Sequence, residues 1–486
     1  MMTTATARQP SMWTRLAYGA GGAAEGVKNN GFDYFLLLYY SQVLGVPASM
    51  VAGALFIALV FDAISDPVVG YWSDSVRTRL GRRHPFMYAA IVPVVVIYFL
   101  TWSPPSALQG EALFPWIVAM TIGLRLGFTL FEVPNHALAA ELTQDYDART
   151  ELISYRTFFA WMGGLSMQIA LFALFLTPTL TDRTGFTDLE GWHTYGTVAA
   201  VAIGLAMLVC TLGTHRRIPH LVQPAALSSQ PSLKRIFAEI LETVFNPSFG
   251  ALFAATLFGL IATGISAALN QYVNGFFWQF TGEEIKLLTI SVYVSTILAV
   301  VLAPLIGKAL GKKRGALIVG FVAFTVAPAP VVLSLLGFLP AKGSPELFNI
   351  ILWVTVVDLA LIIVTQMLLG SMVADLAEDS EMKTGRRSEG VFFAGISFIR
   401  KLAQGSGVLL AAAVLSVAAI APGTAPGTVP EASLRLLGWY YAGSLFAAWM
   451  LMIGCISLYR ISRESHEANL DALAQKRTAA TGAGAE

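Results

Sequence analysis

Twelve stretches of about twenty mostly apolar residues recur along the chain, centred near residues 30, 60, 95, 125, 165, 203, 260, 297, 325, 362, 405 and 447. About 20 apolar residues in a helix cross the ~30 Å hydrocarbon layer of a bilayer. Inside that layer a backbone must satisfy its own polar groups, so such stretches fold as helices packed into a bundle. The composition agrees. Of 486 residues, 56% are hydrophobic and 13% charged, about half the ~25% charge of a soluble domain. A net charge of +1 makes no case for a nucleic-acid partner, and the N-terminal stretch "MMTTATARQPSMWTRL" does not read as a removable signal peptide. Cys210 and Cys455 each lie in an apolar run and read as small buried hydrophobes.

The basic residues set the orientation. One set of alternate loops holds Arg77, Arg79, Arg82, Arg83, Arg149, Arg216, Arg217, Lys234, Arg235, Lys308, Lys312, Lys313, Arg314, Lys383, Arg386 and Arg387; the opposite set holds only Arg183, Lys286, Lys342 and Arg435. Lys and Arg accumulate on the cytoplasmic side, so both termini are expected there. The expected division is a tail (1–14), a six-helix bundle (15–214), a cytoplasmic linker (215–247), a second six-helix bundle (248–461) and a tail (462–486). A repeat supports two halves: "AELTQDYDART" (140–150) and "ADLAEDSEMKT" (374–384) share one pattern, and "PVVG" (67–70) and "PLIG" (304–307) another at a similar offset. Duplicated six-helix halves around a midplane site are the plan of a major facilitator fold.

Charges inside the spans are costly and mark function or interhelical pairing. They are Glu25, Lys28 and Asp33 in span one, Asp62 and Asp66 in span two, Arg125 and Glu132 in span four, Arg156 in span five, Asp358 in span ten, and Arg400 and Lys401 in span eleven. Asp62 and Asp66 share one helical face. Two carboxylates there repel unless a proton or cation lies between them, and with Ser65 they form an oxygen-rich nest for a hard cation; a structural polar pair is the rival reading. Asp74, Arg82 and Arg83 at the end of span two, with Glu141 and Asp375 at the ends of spans four and ten, are expected to form a charged cytoplasmic gate. His136 lies one turn from Glu132 and reads equally as a structural or a proton-handling group. Asn270, Gln271 and Asn274 are expected either to line a polar cavity or to bond between helices. No nucleophile elbow or metalloprotease motif is present, so an enzyme is not expected.

In order along the chain, "FDAISDPVVGYWSD…GRRHPF", "TLFEVPNHALAAEL", "SYRTFF" and "ADLAEDSE…FIRK" resemble the glycoside–pentoside–hexuronide:cation symporters, the melibiose-permease family of the major facilitator superfamily, from about residue 15 to 460. The resemblance implies sugar uptake coupled to Na⁺, Li⁺ or H⁺ by alternating access in a bacterial inner membrane, with no cofactor beyond the coupling cation. It implies a cation site at Asp62 and Asp66, adds Thr129, and places Ser65 where an Asn is common, leaving Na⁺ and H⁺ both open. For the substrate it implies Arg156 and Lys401, Glu132 in place of an Asp, His136 in place of a Trp, and Gln366 in place of an aromatic. A first-span sugar-binding Asp falls at Gly26, beside Glu25; Lys28 completes the expected substrate set. The solute is expected to be a sugar or glycoside, with a lysophospholipid as the alternative. A non-transporting receptor is a further alternative, and the protein is expected to work as a monomer.

Overall fold

The structure, a computed structural model, describes residues 10–143, 145–221, 247–384 and 389–458, with backbone alone at 146, 220, 247–249, 373–384, 389–399, 401 and 402. The side chains of Asp375 and Lys401, most of the linker and the tails therefore lie outside the description. Twelve long helices are present among those described. They are α1 (Met12–Asn30), α2 (Ala48–Ser75), α3 (His84–Trp102), α4 (Phe114–Leu142), α5 (Tyr146–Ala170), α6 (Leu189–His215), α7 (Pro247–Gln271), α8 (Gly282–Leu310), α9 (Lys312–Val326), α10 (Pro345–Thr384), α11 (Glu389–Val417) and α12 (Glu431–Ser457). Each corresponds to one expected span. Ten spans are both long and apolar enough to cross a membrane; the other two, α1 and α11, carry more of the interior charge and polar residues, including Glu25, Lys28 and Arg400. Apolar side chains such as Leu205, Ile297 and Trp353 are more than half exposed, a surface suited to lipid.

Local chemistry sets the helix starts. Ser11, Asp145 and Asp188 cap α1, α5 and α6 by accepting the amides of Thr14, Ala148 and Gly191. Pro67, Pro93, Pro134 and Pro304 lie within helices, which membrane helices tolerate because neighbours and local adjustments re-satisfy the freed carbonyls. α1 continues through wide π-type turns at Gly31–Phe35 and Tyr39–Val43.

The chain divides into two compact units. One runs up to Ala226 and includes Ala267–Ile290 and Val408–Leu437; the other comprises Leu227–Ser266, Ser291–Gly407 and Gly438–Glu486. In the first, α1 packs on α5 through glycines. A Cβ on Gly22 would lie 2.1 Å from the Arg156 carbonyl oxygen, and one on Gly26 would lie 1.8 Å from that of Ala160. The Gly22–Gly26 spacing is the small-xxx-small device that brings membrane helices into backbone contact. The Gly-rich start of span one is thus a packing surface, and position 26 has no room for any side chain. Trp102 and Trp192 stack at 5.6 Å beside Tyr39 and Tyr195, and Tyr39 donates to the Trp102 carbonyl at 2.8 Å.

The loop between α5 and α6 folds around the fully buried Asp182. Its carboxylate accepts from the amides of Thr184 (3.0 Å), Gly185 (3.1 Å) and Thr187 (2.7 Å) and from both threonine hydroxyls. The loop then meets distant parts of the same unit through the main chain. The amide of Gly427 donates to Thr181 O at 3.2 Å and that of Gly282 to Arg183 O at 3.2 Å; nearby, the Gly423 amide donates to Ser41 O at 2.9 Å. In the second unit α9 packs on α10, α7 meets α11 where Gly264 and Gly407 touch, and Phe324 stacks on Trp449 at 4.8 Å.

Candidate functional site

The site lies in the first unit, where α2 and α4 pack together. Asp62 and Asp66 stand one turn apart on α2, and both point at Thr129 on α4. The Thr129 hydroxyl lies 3.0 Å from Asp62 Oδ1 and 3.0 Å from Asp66 Oδ1. It has one proton to donate, so it serves one carboxylate while its lone pairs remain turned into the cluster. Arg125, one turn before Thr129, approaches the other Asp62 oxygen at 3.2 Å. Asp62 is buried and Asp66 half-buried. Ser65 is buried too, but its hydroxyl donates to the Asp62 carbonyl oxygen at 3.2 Å, turning it toward its own helix. The structure therefore brings Asp62, Asp66 and Thr129 together and adds Arg125 to them. Two carboxylates and one guanidinium leave a single net negative charge on the named groups.

The same face of α4 continues into a second cluster with α1. Lys28 Nζ lies 2.9 Å from Glu132 Oε1 and 4.6 Å above the Phe128 ring. His136 Nε2 lies 3.6 Å from Glu25 Oε2. These pairs form two rungs between antiparallel helices: Glu25 and Lys28 are three apart on α1, and Glu132 and His136 four apart on α4. Arg156 of α5 lies within electrostatic reach of Glu25. The opposite charges lower the cost of keeping ionised groups within the bundle. Glu25 and His136 keep partial exposure, their side chains being 27% and 44% accessible, so hydrogen-bonding capacity remains for a polar solute.

Gln366 belongs to the second unit. There it lines a cavity of about 380 Å³ with Arg400, Thr256, Thr263, Phe324 and Trp449. Near the loop end of α7, Asn274 and Gln271 both donate to Asn270 Oδ1, at 3.1 and 3.2 Å, so these three amides bond among themselves.

The charged residues beyond the end of α2 form a cluster within the first unit. Arg82 and Arg83 reach Glu141 Oε1 at 2.7 and 2.8 Å. Arg83 also pairs with Asp74 and donates to Ser73 Oγ at 2.7 Å. Glu141 and Arg83 are almost completely buried. One carboxylate shared by two guanidiniums staples the α2–α3 loop to the end of α4. Cys210 and Cys455 are free thiols.

The chain matches the family described as MFS/sugar transport protein over residues 17–463. It is 28% identical to the glucuronide carrier protein homolog of Escherichia coli (strain K12) over 424 residues, 84% of each chain. To the inner membrane symporter YicJ of the same organism it is 25% identical over 395 residues, 81% of this chain and 80% of that protein. Its fold resembles the crystal structure of a bacterial homologue of the human lysosomal transporter Spinster in an inward-facing, unoccupied conformation. The TM-score is 0.60 at 12% identity, covering 95% of this chain and 97% of the other. With its spanning helices and the length of the family match, the chain is an integral membrane transporter of the major facilitator fold and belongs to the MFS/sugar transport protein family.

Proposed function

We propose that the protein is a cation-coupled symporter of a sugar or glycoside, working by alternating access in a bacterial inner membrane. The observation that carries this reading is the convergence of Asp62, Asp66 and Thr129 oxygens at 3.0 Å separations. A monovalent cation placed among them supplies the positive charge that offsets the repulsion of the two carboxylates, with the Thr129 hydroxyl oxygen as a further ligand. Carboxylate and hydroxyl oxygens gathered in this way suit a hard monovalent cation or a proton. The names of the relatives, a symporter and a glucuronide carrier homologue, support the same reading.

The solute binds against the rungs formed by Glu25, His136, Lys28 and Glu132, with Arg156 beside them. Charge-assisted hydrogen bonds to hydroxyls supply orientation there. Gln366 and Lys401, both of the second unit, are the further solute-binding candidates that the family resemblance implies. Cation binding drives transport only by favouring some conformations over others, so the ion site and the solute site on α4 must sense each other through that helix. The gate is assigned to the Asp74, Arg82, Arg83 and Glu141 cluster; the side chain of Asp375, the remaining gate candidate, lies outside the description. The halves are residues 15–214 and 248–461 around the linker at 215–247, the termini lie in the cytoplasm, and the functional unit is a monomer.

A second reading has its own observation. The 380 Å³ cavity sets Phe324, Leu260, Leu369, Trp449 and Met452 around Arg400, walls that suit an amphiphile such as a lysophospholipid. The deciding experiment is thermal unfolding of the purified protein against glycosides, hexuronides and lysophospholipids, in Na⁺, in choline and across pH. A ligand that binds only the native state raises its stability. A sugar whose stabilisation grows with Na⁺ or with acidity supports the first reading. Stabilisation by lysophospholipids alone replaces the sugar with the amphiphile. Asp66→Asn should remove the cation dependence, and a variant that keeps it rules out this ion site.

A further inference from the structure

α10 carries one carboxylate in its middle, within "ILWVTVVDLALIIVTQM" (351–367), where all its neighbours along the helix are uncharged. Asp358 Oδ1 is buried and has no hydrogen-bond partner among the described residues. The functional reading above uses Asp62 and Asp66 of the first unit and leaves Asp358 without a task. We propose that Asp358 is a proton-binding site of the second unit, separate from the Asp62/Asp66 pair, and that it holds its proton at neutral pH.

The argument rests on what surrounds the carboxylate. Among the described residues no cation is set against this enclosed oxygen, and at hydrocarbon depth an ionised carboxylate is poorly solvated. The neutral acid avoids that cost. α9, packed on α10, contributes "GALIVGFVAFTV" (315–326), which contains no titratable residue. Its basic start, Lys312, Lys313 and Arg314, lies toward Leu368, since a Cβ on Gly315 would meet Leu368 at 3.2 Å. Leu368 is ten residues beyond Asp358, about 15 Å along the helix. From α11, Arg400 lines the cavity at the level of Gln366 to Gly370, at least two turns from Asp358. From α12, Tyr441 lies within electrostatic reach of Asp358. A phenol there is no counter-cation. Among the described residues, then, the group set against Asp358 is neutral and the charges stand further along the helix.

Asp358 is half-buried as a whole residue, so a small apolar reagent can reach it. Dicyclohexylcarbodiimide adds to protonated carboxyl groups in apolar surroundings and leaves ionised, solvated ones alone. The test treats the purified full-length protein with this reagent at pH 6, 7.5 and 9 and locates the adduct by fragmentation of the 351–367 peptide. The expected result is an adduct on Asp358 at pH 6 and 7.5, at least tenfold above the same peptide of Asp358→Asn, and smaller at pH 9. Because fragment ions place the adduct on the residue, the wild-type result stands even if Asp358→Asn fails to fold. Absence of adduct at pH 6 overturns the proposal. Asp66→Asn should leave the adduct unchanged; its loss in that variant would show that the two sites are one system and equally overturn the claim of separateness. Neither outcome depends on which solute is transported.

Discussion

Arg125 and Thr129 divide Asp62 between them: the guanidinium takes Oδ2 at 3.2 Å, and the hydroxyl takes Oδ1 at 3.0 Å. One carboxylate of the pair is thus partly neutralised by a fixed charge before any ion arrives. The other, Asp66, meets the same hydroxyl at 3.0 Å.

Removing that fixed charge should tighten cation binding. A unit charge a few ångströms away at an effective dielectric near 20 is worth a few kcal/mol, and relaxation reduces this to about 1 kcal/mol. In Arg125→Gln the midpoint of cation-dependent thermal stabilisation should move to about tenfold lower Na⁺, or to correspondingly higher pH if the proton is the ligand. Arg125→Lys should fall between. A midpoint that stays in place would mean that Arg125 does not act on the ion.

The Lys28–Glu132 rung should behave as a coupled pair. Removing either partner strands the other where it is only 12% or 23% accessible. Lys28→Gln or Glu132→Gln alone should cost about 1–3 kcal/mol, below the figure for a completely buried pair. The double variant should recover part of the loss, with a coupling of about 1 kcal/mol read from apparent Tm values. Strictly additive losses would show that the two groups do not interact.

Gly26 and Gly53 make a matched test of helix packing. A Cβ at Gly26 would lie 1.8 Å from the Ala160 carbonyl oxygen, whereas one at Gly53 meets nothing within 4 Å. Gly26→Ala must push α1 from α5 and should destabilise by about 1–3 kcal/mol. Gly53→Ala should be neutral or stabilising by up to about 1 kcal/mol, the helix preference of Ala over Gly. Equal Tm values for the two variants would refute the backbone contact between α1 and α5.

Asp188, in the loop outside the spans, predicts an acid limb of stability. Burial pushes its pKa up, but the amides of Gly191 and Thr177, donating at 3.0 and 2.9 Å, outweigh this and hold it below the usual Asp value. A carboxyl whose pKa is lower in the folded state adds stability above its unfolded pKa of about 3.9. That stability is lost as pH falls through the folded value. The Tm gap between wild type and Asp188→Asn should therefore be constant from pH 6 to 8 and close below about pH 4. A gap that does not narrow as pH falls below about 4 would assign the effect to capping geometry alone.

How much of this could be read from the residues depends on the range of the contact. The spans and the Asp62/Asp66 face were legible, because apolar length and helical spacing are local properties. Arg125, Thr129, Glu132 and His136 follow one another by four, three and four residues, a single helical stripe. That spacing was a signal for joining Arg125 to the ion cluster, and reading each intramembrane charge on its own missed it. Ser65 shows the opposite failure. It lies beside Asp66 in sequence, but a hydroxyl on a helix has its own backbone carbonyl within reach and turns there. Position 26 aligns with a sugar-binding residue, yet only a second helix, packed through Ala160, reveals that no side chain fits. The loop around Asp182 was invisible for the same reason: "TPTLTDRTGFTD" announces turns, while its partners Gly282 and Gly427 lie about a hundred or more residues away.

Those loop contacts are made by main-chain groups, with a consequence for kinetics. The amides of Gly282, Gly423 and Gly427 are each held by a carbonyl at least about a hundred residues distant in sequence. Deuterium replaces such a hydrogen only when its bond opens. Three glycine amides thus form a clock, each exchange marking a moment when those segments part. If a cation and a solute slow or quicken that clock, their effect on the cycle becomes readable without a radiolabel, a vesicle or a transported molecule.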